Sequence, residues 1–215
     1  MRKPAWIFDL DNTLHDASPH VFPHINRSMT AYLREHLALD DAAANELRLR
    51  YWRRYGATLL GLMRHHGTDP HHFLWHTHQF PELERMVVAD TAALAAIRRL
   101  PGRKILFSNS PVHYAEAVVR VLGLESWFDA LYAIEHVRFE PKPSPAAFRR
   151  LLRAERLPPE RAVMVEDSLA NLRTAKRLGM KTVWVTREPR SPAYVDVRVA
   201  SVGALRRLAD DLARR

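Results

Sequence analysis

Two carboxylates one residue apart, Asp9 and Asp11, follow directly on the apolar run Ala5-Trp6-Ile7-Phe8. A chain that leaves a buried strand and turns at once can bring both onto one site, where they repel each other unless a cation is present. A hard divalent ion with oxygen ligands, above all Mg2+, meets that need and would also neutralise a phosphate. The segment Asp9-Leu10-Asp11-Asn12-Thr13 reads equally as a polar turn and helix cap, so the pair alone leaves both readings open.

Three further segments carry chemistry of a related kind. Phe107-Ser108-Asn109-Ser110 offers a hydroxyl and turn amides suited to phosphate oxygens, although Ser110 before Pro111 is also an expected helix N-cap. In Glu140-Pro141-Lys142-Pro143-Ser144-Pro145 the prolines restrict the backbone that presents a single lysine, and a fixed cation suits a transferring phosphoryl group. In Val165-Glu166-Asp167-Ser168 two carboxylates again close an apolar run; Asp167 can complete a metal site, or serve as a charge at the start of a helix.

These groups can meet only if the elements before them are neighbours. Five short apolar runs read as buried strands: Ala5 to Phe8, Lys104 to Phe107, Leu131 to Ile134, Ala162 to Val165 and Thr182 to Val185. Helical periodicity separates each from the next, and that alternation predicts a parallel sheet covered by helices. Ser110-Pro111 opens a helix that Gly123 closes, Ser144-Pro145 opens another, and Ser168 opens one that Gly179 closes. The four polar motifs then stand at the strand ends, along one edge of the sheet. Between about Ser18 and Ala89 no strand-like run occurs, and helices are expected over Ile25 to Leu39 and Ala42 to Met63. Such an insertion directly after the first strand would stand over the carboxyl edge, where open α/β folds bind ligands, and it is a candidate lid.

Composition narrows the function classes. The 215 residues, 47% of them hydrophobic, suffice for a core domain with a smaller inserted module, and the absence of cysteine excludes disulfides, thiolate metal sites and thiol nucleophiles. Charged residues bracket the first apolar run and no run reaches membrane-spanning length, so a soluble, cytoplasmic protein without membrane partners is expected. The net charge of +9 raises the question of nucleic acid. Of the 33 basic residues only Lys3, Lys104, Lys142, Lys176 and Lys181 are lysines, and the arginines are spread along the chain, with pairs at Arg98-Arg99, Arg149-Arg150, Arg206-Arg207 and Arg214-Arg215. Without interleaved aromatics or a groove-reading motif, spread charge reads as solvated faces, and a small phosphorylated anion is the expected partner.

Taken in order, Asp-x-Asp-x-Thr, then Ser-Asn, then Lys-Pro-x-Pro, then Glu-Asp before a helix, the four motifs resemble the haloacid dehalogenase-like superfamily of hydrolases over nearly the whole chain. The resemblance implies an α/β protein with a three-layer Rossmann-like core around a central parallel sheet, 1–17 and 90–215, and an inserted α-helical cap, 18–89. It implies that Asp9 is the nucleophile forming an aspartyl-phosphate and Asp11 the general acid and base, with a backbone carbonyl on the metal. Ser108, Asn109 and Lys142 would bind and stabilise the phosphoryl oxygens, and Asp167, with Glu166, would supply metal ligands for Mg2+. Dehalogenase members lack the second aspartate, so Asp11 favours a phosphatase, while a phosphomutase shares the pair.

The stretch Tyr51-Trp52-Arg53-Arg54-Tyr55 through Leu62, with His66 to His78, is similar to the cap of the pyrimidine 5'-nucleotidase-type subgroup, which implies a nucleoside 5'-monophosphate as one substrate. Aromatics at helical spacing also serve core packing. Sugar or other small-metabolite phosphatases and a non-catalytic nucleotide-binding protein remain alternatives, and oligomeric state is not legible. His72 and His76, four apart, would share a helix face and could bind a transition metal, but no metalloprotease glutamate accompanies them, and surface or packing histidines are the expected reading.

Overall fold

The apolar runs that precede the polar motifs become strands because each can bury both faces and ends where polar residues begin. In this computed structural model residues 4–205 are described, so Lys3, Arg206-Arg207 and Arg214-Arg215 lie outside the described residues. The chain runs β1 (Ala5–Phe8), α1 (Val21–Leu37), α2 (Asp41–Tyr55), α3 (Thr58–His66), α4 (Pro70–Thr77), α5 (Leu83–Met86), α6 (Thr91–Arg98) and β2 (Arg103–Phe107). It continues with α7 (Val112–Val121), β3 (Ala130–Tyr132), α8 (Pro145–Ala154), β4 (Ala162–Glu166), α9 (Leu169–Arg177), β5 (Lys181–Val185) and β6 (Val197–Val199). The strands form one sheet in the order β3-β2-β1-β4-β5-β6, and every neighbouring pair is parallel. This is the α/β fold that the alternation predicts. The third strand starts at Ala130 and ends at Tyr132, earlier than expected, and β6 was not anticipated, because Val197-Arg198-Val199 is too short to show a period.

Side chains alternate across the sheet. Trp6 and Phe8, with Leu106, Val163 and Val165, pack on one face against α6 and α7, while Ile7, Ile105, Phe107 and Met164 pack on the other with Phe148, Leu151 and Leu172. Strands buried on both faces cannot slip in register without exposing a full apolar set, which fixes the level at which each strand ends.

The helices α1 to α5 lie between β1 and α6. The single helix expected over 42–63 is two: Gly56 adopts φ +81 and ends α2, and α3 starts again at Thr58. A left-handed residue satisfies the last carbonyls, here with the Gly56 amide donating to Trp52 O, and glycine takes that conformation without strain. Asp69 caps α4, its carboxylate accepting from the His71 and His72 amides, with Pro70 at the first position. The segment leaves and rejoins the sheet side by side, since the Asp16 amide donates to Val88 O at 2.7 Å. It rests on the carboxyl side of the sheet: Phe80 and His78 lie 5.1 and 5.9 Å from the Tyr114 ring, Trp75 lies 5.0 Å from His113 and His71 4.9 Å from Phe139. Among the described residues no helix is long and apolar enough to cross a membrane.

Candidate active site

Asp9 is the first residue beyond β1, the central strand, and its amide still donates to Val165 O of β4 at 3.0 Å. Its backbone is thus held by the sheet while its side chain is free to face the loops. Ser108 follows β2 directly, its amide bonded to Tyr132 O, and Asp167 follows β4. Because β2, β1 and β4 are adjacent, three motifs far apart in sequence open onto one edge. Lys142 departs from the strand-end expectation: it lies about ten residues past β3, beyond a turn at Glu135–Val137, and reaches the site from the loop before α8.

Lys142 is buried, and its Nζ donates to Asp9 Oδ1 at 2.6 Å, to Phe107 O at 2.7 Å and to Glu166 Oε2 at 2.9 Å. An ammonium has three donors, and these three acceptors use them all. The Lys142 pKa is pushed up because, although burial opposes it, the Asp9 and Glu166 charges stabilise the ammonium. Asn109 fixes the loop that carries it: its amide nitrogen donates to Lys142 O at 3.0 Å and its Oδ1 accepts from the Lys142 amide at 2.8 Å. The Asn109 side chain is therefore engaged with backbone, and Ser108 Oγ accepts from the Ser110 amide while its own hydroxyl hydrogen remains to be donated.

Oxygens of Asp9, Glu166 and Asp167 all lie within 4.8 Å of one another. Burial and the Glu166 charge push the Asp9 pKa up to about 7, against the opposing effect of Lys142. Burial also raises Glu166 to about 7, with Asp167 adding to the rise, and raises Asp167 as well, with the Asp9 charge contributing. Three carboxyls facing one ammonium carry an excess of negative charge that the chain does not neutralise. All-oxygen donors, crowding and raised pKa values fit a hard divalent cation such as Mg2+, whose charge would restore all three carboxylates.

Asp11 turns elsewhere. Its Oδ1 accepts from Tyr114 Oη at 2.6 Å and from His15 Nε2 at 2.9 Å, and its Oδ2 accepts from Ser110 Oγ at 2.8 Å. Burial pushes the Asp11 pKa up, but the bonds from His15, Tyr114 and Ser110 outweigh it and hold the carboxyl below its usual range. This corrects the cap reading of Ser110: α7 has Pro111 at its N-cap without a side-chain bond, and the Ser110 hydroxyl serves Asp11 instead. Ser168 likewise precedes α9 without capping it through its side chain, whereas Ser144 does accept from the Ala146 amide before α8. His15, Ser110 and Tyr114 were not singled out for this site from sequence. His15 stands four residues after Asp11, a local signal, but Tyr114 is 103 residues away and nothing local marks it.

Tyr114→Phe removes one hydrogen bond to a charged, mostly buried acceptor. It should lower unfolding free energy by roughly 1.5–3 kcal/mol in urea titrations, the usual worth of such a bond. His78, buried above the Tyr114 ring, has its pKa pushed down to about 4 chiefly by that burial and stands neutral at pH 7.

Residues 4–179 match the sequence model of the haloacid dehalogenase-like hydrolases. The chain is 29% identical over 202 residues to a glyceraldehyde 3-phosphate phosphatase of Pyrococcus furiosus, covering 82% of this chain and 78% of that one. It is 28% identical over 192 residues to a phosphoglycolate phosphatase of Mesorhizobium japonicum, covering 86% and 83%. In fold it is similar to the crystal structure of a HAD phosphatase from Thermococcus onnurineus, with a TM-score of 0.65, 22% identity and 97% of each chain covered.

Proposed function

The chain belongs to the haloacid dehalogenase-like hydrolases, and from that premise we propose that it works as a magnesium-dependent phosphatase on a small phosphorylated metabolite. The observation that carries the reading is the Asp9 carboxyl at the end of the central strand, with Lys142 on one oxygen and the Glu166 and Asp167 carboxyls within reach. Phosphatase relatives at 28–29% identity support the ester as substrate.

In this reading an Asp9 oxygen attacks phosphorus, the bond from phosphorus to the ester oxygen breaks, and Asp11 delivers a proton to the departing alkoxide. Water then attacks the aspartyl-phosphate, Asp11 takes the proton, and inorganic phosphate leaves with Asp9 regenerated. Asp11 is held ready for the second step as a carboxylate; to act in the first it must take up a proton and turn from Ser110 and Tyr114 toward the leaving oxygen. Lys142 holds Asp9 and meets the charge on the phosphoryl oxygens, with the Ser108 hydroxyl and the Asn109 backbone amide as further donors. Asp9, Asp167 and the Asp11 carbonyl would hold Mg2+, with Glu166 alongside chiefly as the counter-ion of Lys142; when bound, the ion neutralises carboxylates and phosphate together. The 18–89 segment acts as the cap, closing over this edge through His78, Phe80 and Trp75.

The metal and the protons compete for the same oxygens, which gives a signed prediction. With Asp9 and Glu166 both titrating near 7, much of the site is protonated at pH 6 and ionised at pH 8. Millimolar Mg2+ should therefore raise the melting temperature more at pH 8 than at pH 6, as read by thermal shift.

Two substrate classes are distinguishable. Tyr51 is buried with its hydroxyl on His66, and Tyr55 is bonded to His65, so these rings are used within the helices, which favours a short phosphate ester. The exposed Trp75 ring beside His113 favours the second class, a pyrimidine nucleoside 5'-monophosphate, by offering a stacking face. A screen of both classes with Mg2+, read by released phosphate, tests this. Hydrolysis abolished by chelator is the expected result. Binding without turnover would point to a nucleotide sensor, and phosphate relocated without release to a mutase.

A further inference from the structure

His36, in the last turn of α1, meets His72 and His76 on one face of α4. Their ring centroids lie 4.3 Å (His72–His76), 5.2 Å (His36–His72) and 6.3 Å (His36–His76) apart. Tyr32 forms the floor: its ring stacks on His36 at 4.0 Å and 9°, and its hydroxyl lies 2.9 Å from His72 Nδ1. All three imidazoles are exposed, so an ion could enter from solvent.

We propose that His36, His72 and His76 form a second metal site, for a divalent transition ion of the zinc type, separate from the carboxylate site. The spacing agrees with the ligand geometry. A Zn–N bond of about 2.0 Å, with the ring centre a little over 1 Å behind the nitrogen, puts the centroids of three imidazoles on one tetrahedral ion about 5 Å apart. In the present rotamers the three ring nitrogens do not all lie within 4.8 Å of one another. In the proposed site the exposed His76 ring turns toward the other two, which keep their Tyr32 partners.

The tautomers are also prepared. His36 Nδ1 lies 3.0 Å from Tyr32 O; a carbonyl only accepts, so Nδ1 carries the proton and Nε2 presents its lone pair outward. His72 Nδ1 lies 2.9 Å from the Tyr32 hydroxyl, which can donate or accept; with the phenol as acceptor, Nδ1 carries the proton and Nε2 is left for the ion, the arrangement by which outer partners orient metal-bound histidines. The charges of Asp69 and Glu35 act at Tyr32, beneath the three rings, and favour a cation there. Imidazole nitrogens select zinc-type ions and carboxylate oxygens select Mg2+, so the two sites would load independently. A bound ion would tie α1 to α4 and stiffen the helices that stand over the active site.

The test uses full-length, tag-free protein stripped with chelator and then titrated with Co2+ and with Zn2+ in excess Mg2+. The expected result is one equivalent of tight binding with the visible absorption of tetrahedral Co2+. His36→Ala and His72→Ala should remove it, and Tyr32→Phe, which keeps the ring, should weaken it by roughly 10–100-fold. His65→Ala, bonded to Tyr55 away from the trio, should bind as the parent does. Binding unchanged in His36→Ala, or lost in Glu166→Gln, overturns the proposal, as does the absence of saturable binding. Circular dichroism confirms folding of each surface variant. The readout contains no phosphate release, so its outcome is independent of the phosphatase reading.

Discussion

Asp9→Asn should reduce kcat on every phosphomonoester substrate by a factor on the order of 10^4 or more, as loss of a covalent nucleophile does elsewhere, while leaving the protein folded. The amide keeps the size of the carboxyl; its oxygen can still accept from Lys142 and its NH2 can donate to the Thr13 hydroxyl, the two groups that bond the Asp9 oxygens at 2.6 and 3.2 Å. It cannot attack phosphorus. The prediction has a second half that separates chemistry from stability. Burial and the Glu166 charge hold Asp9 near a pKa of about 7, so at pH 8 the metal-free protein maintains an ionised Asp9 against its surroundings. A neutral side chain removes that repulsion. The variant should melt no lower than the parent in chelator at pH 8, and its gain from Mg2+ should shrink because one ligand is lost. An active Asp9→Asn enzyme would sink the mechanism outright.

Lys142→Met should damage both activity and stability. Methionine fills most of the lysine volume but donates nothing, leaving Glu166, Asp9 and Phe107 O without the ammonium that joins them. Breaking a buried pair by removing one partner typically costs about 3–5 kcal/mol, because the other charge stays buried. The loss should be smaller at pH 6 than at pH 8. A carboxyl whose folded pKa lies above its unfolded value favours the folded state at low pH and loses that contribution as pH rises through about 7, and without Lys142 both carboxyls move further in that direction. Activity should fall by about 10^2–10^3-fold in the fraction that folds, the effect of removing one preorganised group facing developing charge. Lys142→Arg should not rescue it, since a planar fork cannot direct three donors to the same acceptors. Urea titrations at the two pH values, beside phosphate release, check both halves.

What the sequence revealed and what it hid divide along one physical line. Asp9, Ser108 and Asp167 were legible because each is the first or second polar residue after a buried run, a local pattern, and parallel strands must all deliver such residues to one edge. Lys142 was legible as chemistry, by its place between prolines, but not as geometry, since it comes from a loop well past its strand. Ser110, His15 and Tyr114 were hidden as Asp11 partners because a hydroxyl beside a helix start has a cheaper local explanation, and because a bond across 103 residues leaves no trace in spacing. The pairing of His36 with His72 and His76 needs the packing of α1 on α4, which no periodicity encodes. The break at Gly56 was readable in principle, from one glycine inside a long helical pattern, and the helical period on both sides obscured it.

The strand order also bears on how the protein is born. β1 lies in the middle of the sheet, and both of its partners come much later in the chain: β2 begins at Arg103 and β4 at Ala162. At about 5–20 residues per second, the ribosome leaves Trp6-Ile7-Phe8 without a strand beside it for roughly 5–20 s, and with only one for several seconds more. During that time α1 to α4 can assemble from contacts among themselves, while the segment destined for the centre of the sheet has no edge to join. The nascent chain thus carries a two-sided apolar strand without a partner for much of its synthesis, an unpaired edge that stays open to association until β2 and β4 arrive.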